Sequence, residues 1–355
     1  GRPPILAMTI YNFLVFAAIA TIAVLVDLFA QNAKTMTIGR AAAWSLAWVA
    51  LSLGYAGYLY KAVSPETAHL FLAGYLLEKV LSVDNLIVFI AVFKYFKIDG
   101  SGPLQHRILY FGVIGAVVFR AIFVGAGSLL LVAGPWADLL FGALVAFSAY
   151  KMLSGGDDDE GADKGAEQAN NWLVRQARKL YPVVPRFVGE HFFVTAEEAR
   201  AAGATDEELA TGRAGGAGGA GETAKKTVRY MTPAFVCLLT IEASDLLFSF
   251  DSVPTVIAVT RKPLVIYAAM IFAVLGLRSL YFVLEALNRF LVHLEKAILG
   301  LLFFIAGKMF LHAANEILHW PGWDISPNQS LMVIVGALAI GVIASLFATR
   351  EGKDA

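Results

Sequence analysis

The chain has 355 residues, of which 58% are Ala, Val, Ile, Leu, Met, Phe, Trp, Tyr or Cys and 16% are charged. Ordinary soluble domains run nearer about 45–50% and about 25%, so with a mean hydropathy of +0.67 a soluble enzyme is excluded: a globular surface cannot hide that much apolar area from water. Twenty-eight Lys and Arg against 28 Asp and Glu leave no net charge and no electrostatic case for nucleic acid, and a single cysteine, Cys237, rules out an internal disulfide framework or a thiolate cluster.

Apolar stretches of about 20 residues match the thickness of a bilayer core at helical rise. Nine occur in chain order: 5–30, 41–60, 68–93, 106–133, 136–153, 233–259, 264–287, 293–313 and 329–348. The first is too long for a signal-peptide core. The expected fold is an all-α polytopic membrane protein organised as two N-terminal spans (1–67), a three-helix unit (68–153), a loop (154–232), a second three-helix unit (233–313) and a final span with its tail (314–355). With the N-terminus outside, the inside segments carry Lys34, Arg40, Lys94, Lys97, Arg107, Arg289, Lys296, Arg350 and Lys353, and the outside segments carry Arg2, Lys61, Arg261 and Lys262. That asymmetry predicts an outside N-terminus and a cytoplasmic C-terminus.

The 154–232 loop opens on the acidic run Asp157–Glu160 and closes on the Gly- and Ala-rich stretch 213–221, which reads as a flexible linker. Between them, 172–181 is amphipathic and is expected to lie on the membrane surface. A short helix is expected near 195–210. Trp and Tyr residues near span ends read as an interfacial belt, and Gly112, Gly115, Gly125 and Gly127 as points of close helix packing.

Glu78-x-x-x-Ser82-x-Asp84-Asn85 in the third span is echoed by Asp245-x-x-x-Ser249-x-Asp251-Ser252 in the sixth. In each case the following span carries a Gly and then an Arg, Gly115 with Arg120 and Gly276 with Arg278, and the next ends on Lys-Met. Because the unit holds three spans, its second copy enters the membrane upside down. Inverted repeats are a transporter signature, with the substrate site expected near the midplane.

Five acids, Glu78, Asp84, Glu242, Asp245 and Asp251, lie inside these spans. A charge near the bilayer centre costs roughly 2.5–3.5 kcal/mol on insertion scales, so each must face a cation, water or another polar group. On an ideal helix Asp251 falls opposite Glu242. Pro254 lacks an N–H and clashes with a carbonyl one turn earlier, so a helix break is expected there. Carboxylates, the Asn85 amide, hydroxyls and freed carbonyls are hard oxygen donors, suited to Mg²⁺, Ca²⁺ or Mn²⁺ and not to soft metals. Two readings stand open. Arg120 and Arg278 either balance charge around a transported cation or lock the bundle through an ionic network. Crowded carboxylates have raised proton affinity, which permits exchange of a divalent cation for protons. No phosphate-cradling loop or organic-cofactor motif is present.

The stretches 74–85, 242–260 and 272–282 resemble the TerC family, in its Alx-like subgroup, as do 41–48 and 191–194. The likeness covers most of residues 20–312 apart from much of the loop. It implies a bacterial inner-membrane protein that exports manganese, a historical link to tellurium resistance, and metal handling by the acids matching Glu78, Asp84, Glu242, Asp245 and Asp251. An enzyme is the weakest reading of the residues: intramembrane acids could form a protease dyad, but nothing in the sequence marks a bound peptide substrate. The alternatives are transport of another divalent cation such as calcium, and a membrane scaffold or metal-delivery partner for exported proteins, with membrane-protein partners or a second copy of the chain.

Overall fold

The computed structural model describes residues 5–30, 37–98, 102–130, 134–154, 172–209, 229–287, 294–318 and 325–351. The helices are α1 (Ile5–Ala30), α2 (Ile38–Ala62), α3 (Pro65–Tyr95), α4 (Pro103–Leu130), α5 (Pro135–Ser154), α6 (Trp172–Leu180), α7 (Ala196–Ala201), α8 (Pro233–Val259), α9 (Pro263–Val274), α10 (Leu277–Leu287), α11 (Leu294–Leu318) and α12 (Pro327–Glu351), with strands β1 (Phe193–Thr195) and β2 (Arg229–Met231). Six of these helices open on proline. The fixed φ of proline suits the first helical position, where its missing N–H would have no intrahelical partner anyway.

The chain is an all-α polytopic membrane protein. Among the described residues α2, α4, α8, α11 and α12 are long and apolar enough to cross a bilayer, and α9 with α10 makes a sixth span bent by 45°. Shorter apolar stretches lie at Tyr11–Asp27 in α1 and Pro135–Phe147 in α5. The 31-residue α3 has the length, but Glu78, Lys79 and Asp84 interrupt its apolar run. Among the described residues five or six helices are thus long and apolar enough to cross, against the nine stretches expected from sequence. Leu46, Ile122, Leu129, Phe147, Met332 and Ile340 stand exposed, as residues facing lipid do.

Two compact units are formed: residues 1–86, 117–157 and 247–355 in the first, and 87–116 with 158–246 in the second. The chain of α3, α4 and α8 passes from one unit into the other. In the first unit, Phe71, Tyr55 and Phe272 pack at ring separations of 4.8–5.7 Å within one apolar core. α5 packs along α11, and Gly142 permits the approach, since a Cβ there would lie 3.2 Å from Met309 Cβ. α10 packs on α2. At their contact Gly276 has φ +75° and sits against the Trp48 ring, so neither its backbone nor its space admits a side chain.

The second unit holds the end of α3, the start of α4, the start of α8 and the folded part of the long loop. β1 and β2 pair antiparallel, Phe193 opposite Met231. The Thr232 hydroxyl, immediately before α8, donates to the carbonyls of His191 and Phe192 at 2.7 and 3.1 Å. Arg107 lies 5.0 Å over the Phe192 ring. The α6 residue Val174 is fully buried with Met231 and Val236. Part of the apolar face expected to lie on the membrane is therefore used inside the protein. The expected helix near 195–210 is α7 and a separate helical turn at 206–209. The acidic run 157–160 and the Gly-rich stretch 213–221 lie outside the described residues.

α7 opens on a reciprocal cap. The Thr195 side chain accepts from the Glu198 N–H, and the Glu198 carboxylate accepts from the Thr195 N–H at 2.7 Å. That backbone N–H is the main reason the Glu198 carboxyl is held below its usual range. Such a cap is worth about 1 kcal/mol. Replacing Thr195 with Ala should therefore speed amide hydrogen exchange across 196–201 about fivefold, while protection in α11 stays unchanged.

Candidate functional site

Glu78 and Arg120 are both buried and form an ion pair between α3 and α4. Each charge removes the other's need for water. Breaking such a pair leaves one uncompensated buried charge, which costs more than the pair itself contributes. For Glu78, the ionic-network reading from sequence describes what the geometry shows.

Lys79 is the next residue, yet it faces elsewhere, because adjacent helical positions are about 100° apart. Its ammonium donates to the carbonyls of Ala273 and Leu275, both at 3.0 Å. These carbonyls lie where α9 ends and the chain turns through Gly276 into α10. A broken span inside a membrane leaves carbonyls without N–H partners, and Lys79 satisfies two of them. No motif in the sequence marks this pairing of Lys79 with distant carbonyls. The rule that successive helical side chains do not face each other was the signal available.

Arg278, at the start of α10, donates to the backbone carbonyl of Asp27. Asp27 is buried. Asn85 is buried on α3, and its Nδ2 has no hydrogen-bond partner among the described residues. The backbone of Asp84 in α3 and of Asp251 in α8 is helical, and both side chains lie outside the described residues. All of these residues belong to the first unit.

Glu242 and Asp245 belong to the second unit. They lie three residues apart on α8, on one face. Asp245 is buried. The Glu242 carboxylate lies against Gly115 of α4, in the space a Cβ would fill. Its Oε2 is buried and has no hydrogen-bond partner among the described residues. The expectation that Gly112 and Gly115 mark close approach is met here, with Gly112 facing Ile241. The approach is to an acid, which small-residue spacing alone does not reveal.

The break expected at Pro254 is not found: α8 stays helical through it. Proline is tolerated inside membrane helices because neighbouring groups re-satisfy the freed backbone. The interruption lies at Leu275–Gly276 instead. α8 therefore carries Glu242, Asp245 and Asp251 along 27 residues with no Lys, Arg or His of its own.

Residues 63–353 match the model of the integral membrane protein TerC family. The chain belongs to the TerC family. It is 44% identical over 336 residues to the tellurium resistance protein TerC of Serratia marcescens, covering 94% of this chain and 92% of that one. It is 34% identical over 308 residues to the putative membrane-bound redox modulator Alx of Escherichia coli K12, covering 83% and 84%. No solved structure matches.

Two neighbouring glycines on α4 give a matched test. A methyl at position 115 must displace the Glu242 carboxylate, whereas at position 112 it makes an ordinary 3.5 Å contact. Overpacking of a tight site costs roughly 1–3 kcal/mol. Gly115→Ala should lower the unfolding midpoint in detergent, Gly112→Ala should leave it nearly unchanged, and Gly115→Ala should cost less when Glu242 is already Ala.

Proposed function

We propose that the chain is a secondary transporter exporting Mn²⁺ across the bacterial inner membrane, with its intramembrane carboxylates as the cation's ligands. Asp84 and Asp251 are the central ligands in this reading. Asn85 adds a neutral oxygen. Glu242 and Asp245, nine and six residues earlier on α8, relay the ion or protons. Glu78 is neutralised by Arg120 and acts in positioning. The observation that supports it best is the charge balance of α8: three acids on an apolar helix with no basic residue, one of them with a buried oxygen lacking a hydrogen-bond partner among the described residues. In a low-dielectric layer such a helix needs cations or protons to offset it. Exchange of Mn²⁺ for protons uses both.

Hard oxygen donors suit Mn²⁺, Mg²⁺ and Ca²⁺ alike, so manganese as the cargo rests on the family resemblance. The tellurium resistance in the Serratia relative's name is read as a consequence of metal balance, since clustered acids do not favour an oxyanion. The distribution of Lys and Arg supports an outside N-terminus and a cytoplasmic C-terminus.

A second reading, a scaffold or metal-delivery partner for exported proteins, is favoured by one feature. The described part of the long loop is folded, with its own small core of Val184, Val194, Ala199, Leu209 and Tyr230, and so presents a defined surface to a partner.

In manganese-loaded cells, Asp84→Asn and Asp251→Asn should each raise cell-associated manganese toward the level of cells lacking the protein, at unchanged membrane abundance. Normal export in both variants would remove the transport reading. Loss of function on deleting the loop, with export of Mn²⁺ intact, would favour the scaffold.

A further inference from the structure

A different donor set gathers within the first unit. Asp138 lies in the first turn of α5, and His312 and Glu316 lie one turn apart on α11. Each offers a ligand atom, and these atoms all lie within 4.8 Å of one another. Asp138 is almost fully buried, at 3% side-chain exposure. His312 Nδ1 sits 3.2 Å from Asp138 Oδ2; that atom is buried, though the side chain is 27% exposed, and it makes no hydrogen bond among the described residues. Two donors on one first-row ion, with bonds of about 2.1 Å, stand about 3.0–3.4 Å apart for cis octahedral or tetrahedral angles. The observed pair has that spacing. A metal ion between an imidazole lone pair and a carboxylate at this distance would satisfy both. The close packing of α5 on α11 at Gly142 fixes the three residues relative to each other.

Arg261, in the short connection from α8 to α9, ion-pairs with the same Asp138 oxygen. Its side chain is 40% exposed, so it can withdraw into water where Asp138 cannot. Lys262 beside it is held by Glu66 at 3.5 Å and Thr67 at 3.3 Å, at the start of α3.

We propose that Asp138, His312 and Glu316 form a divalent transition-metal site, with Arg261 as the resident cation that the metal displaces. One imidazole and two carboxylates suit Mn²⁺, Zn²⁺ and their neighbours. The nitrogen ligand disfavours Ca²⁺ and Mg²⁺, which take oxygen. Spacing along α11 places His312 and Glu316 on one face. The missing third ligand, Asp138, is 174 residues earlier in the sequence, which is why no motif marked it. Metal binding here does not depend on the transport reading.

The test uses the full chain without a histidine tag, in lipid nanodiscs, titrated with Mn²⁺ and followed by electron paramagnetic resonance. Bound Mn²⁺ in the parent should show nitrogen coupling from an imidazole. His312→Gln should abolish that coupling, and Glu316→Gln, at an exposed position that tolerates change, should weaken the same binding step roughly tenfold or more. Arg261→Gln should tighten it several-fold. Absence of nitrogen coupling in the parent, or its persistence in His312→Gln, overturns the proposal. So does an affinity that stays the same across all three variants.

Discussion

An ionised side chain inside hydrocarbon must have a partner, and three contacts of the first unit, α3 with α4, α3 with the end of α9, and α10 with α1, meet that requirement. Glu78 has Arg120 across the α3–α4 contact. Lys79, turned away from it, has the carbonyls where α9 ends. Arg278 has the Asp27 carbonyl. In each case a charge needing a partner is matched to a group needing one, and the match ties two elements together. The broken span shows the logic most directly. Gly276 supplies the φ of +75°, and Lys79 makes the exposed carbonyls tolerable away from water.

Residues that match between the two similar sequence stretches are not used in the same way. Arg120 lies on the continuous α4 and neutralises an acid. Arg278 lies just past a chain break and bonds a backbone carbonyl. Gly115 makes room for a carboxylate, and Gly276 makes room for the Trp48 ring. On α3 one acid is thus given to an internal pair, while α8 carries three acids with no base on the same helix. That imbalance concentrates negative charge on α8, the helix to which the transport reading assigns most of the carboxylates.

Hydropathy and charge were enough to read the membrane class, the run of helices and the acids within them, because a 20-residue apolar stretch has one stable form in lipid. Proline signalled starts well and the break badly. Six prolines open helices, yet Pro254 leaves α8 intact, and the real break is at Gly276, which the sequence marked only as the glycine ahead of Arg278. Partner choice was the least legible layer. That Glu78 meets Arg120, or that Asp138 meets His312, depends on contacts between helices far apart in the chain, and a single sequence records which residues are charged but not which helix faces which. The 172–181 stretch shows the same limit: its amphipathic pattern was clear, but the pattern does not distinguish lipid from Met231 and Val236 as the apolar partner.

Reconstitution into liposomes with a trapped Mn²⁺ indicator tests the central claim most directly, with Asp251→Asn as the paired protein. The account predicts Mn²⁺ entry with the parent, acceleration by an opposing proton gradient, and loss of entry with Asp251→Asn at equal insertion. No entry through folded, inserted parent protein, or equal entry through both proteins, would contradict it.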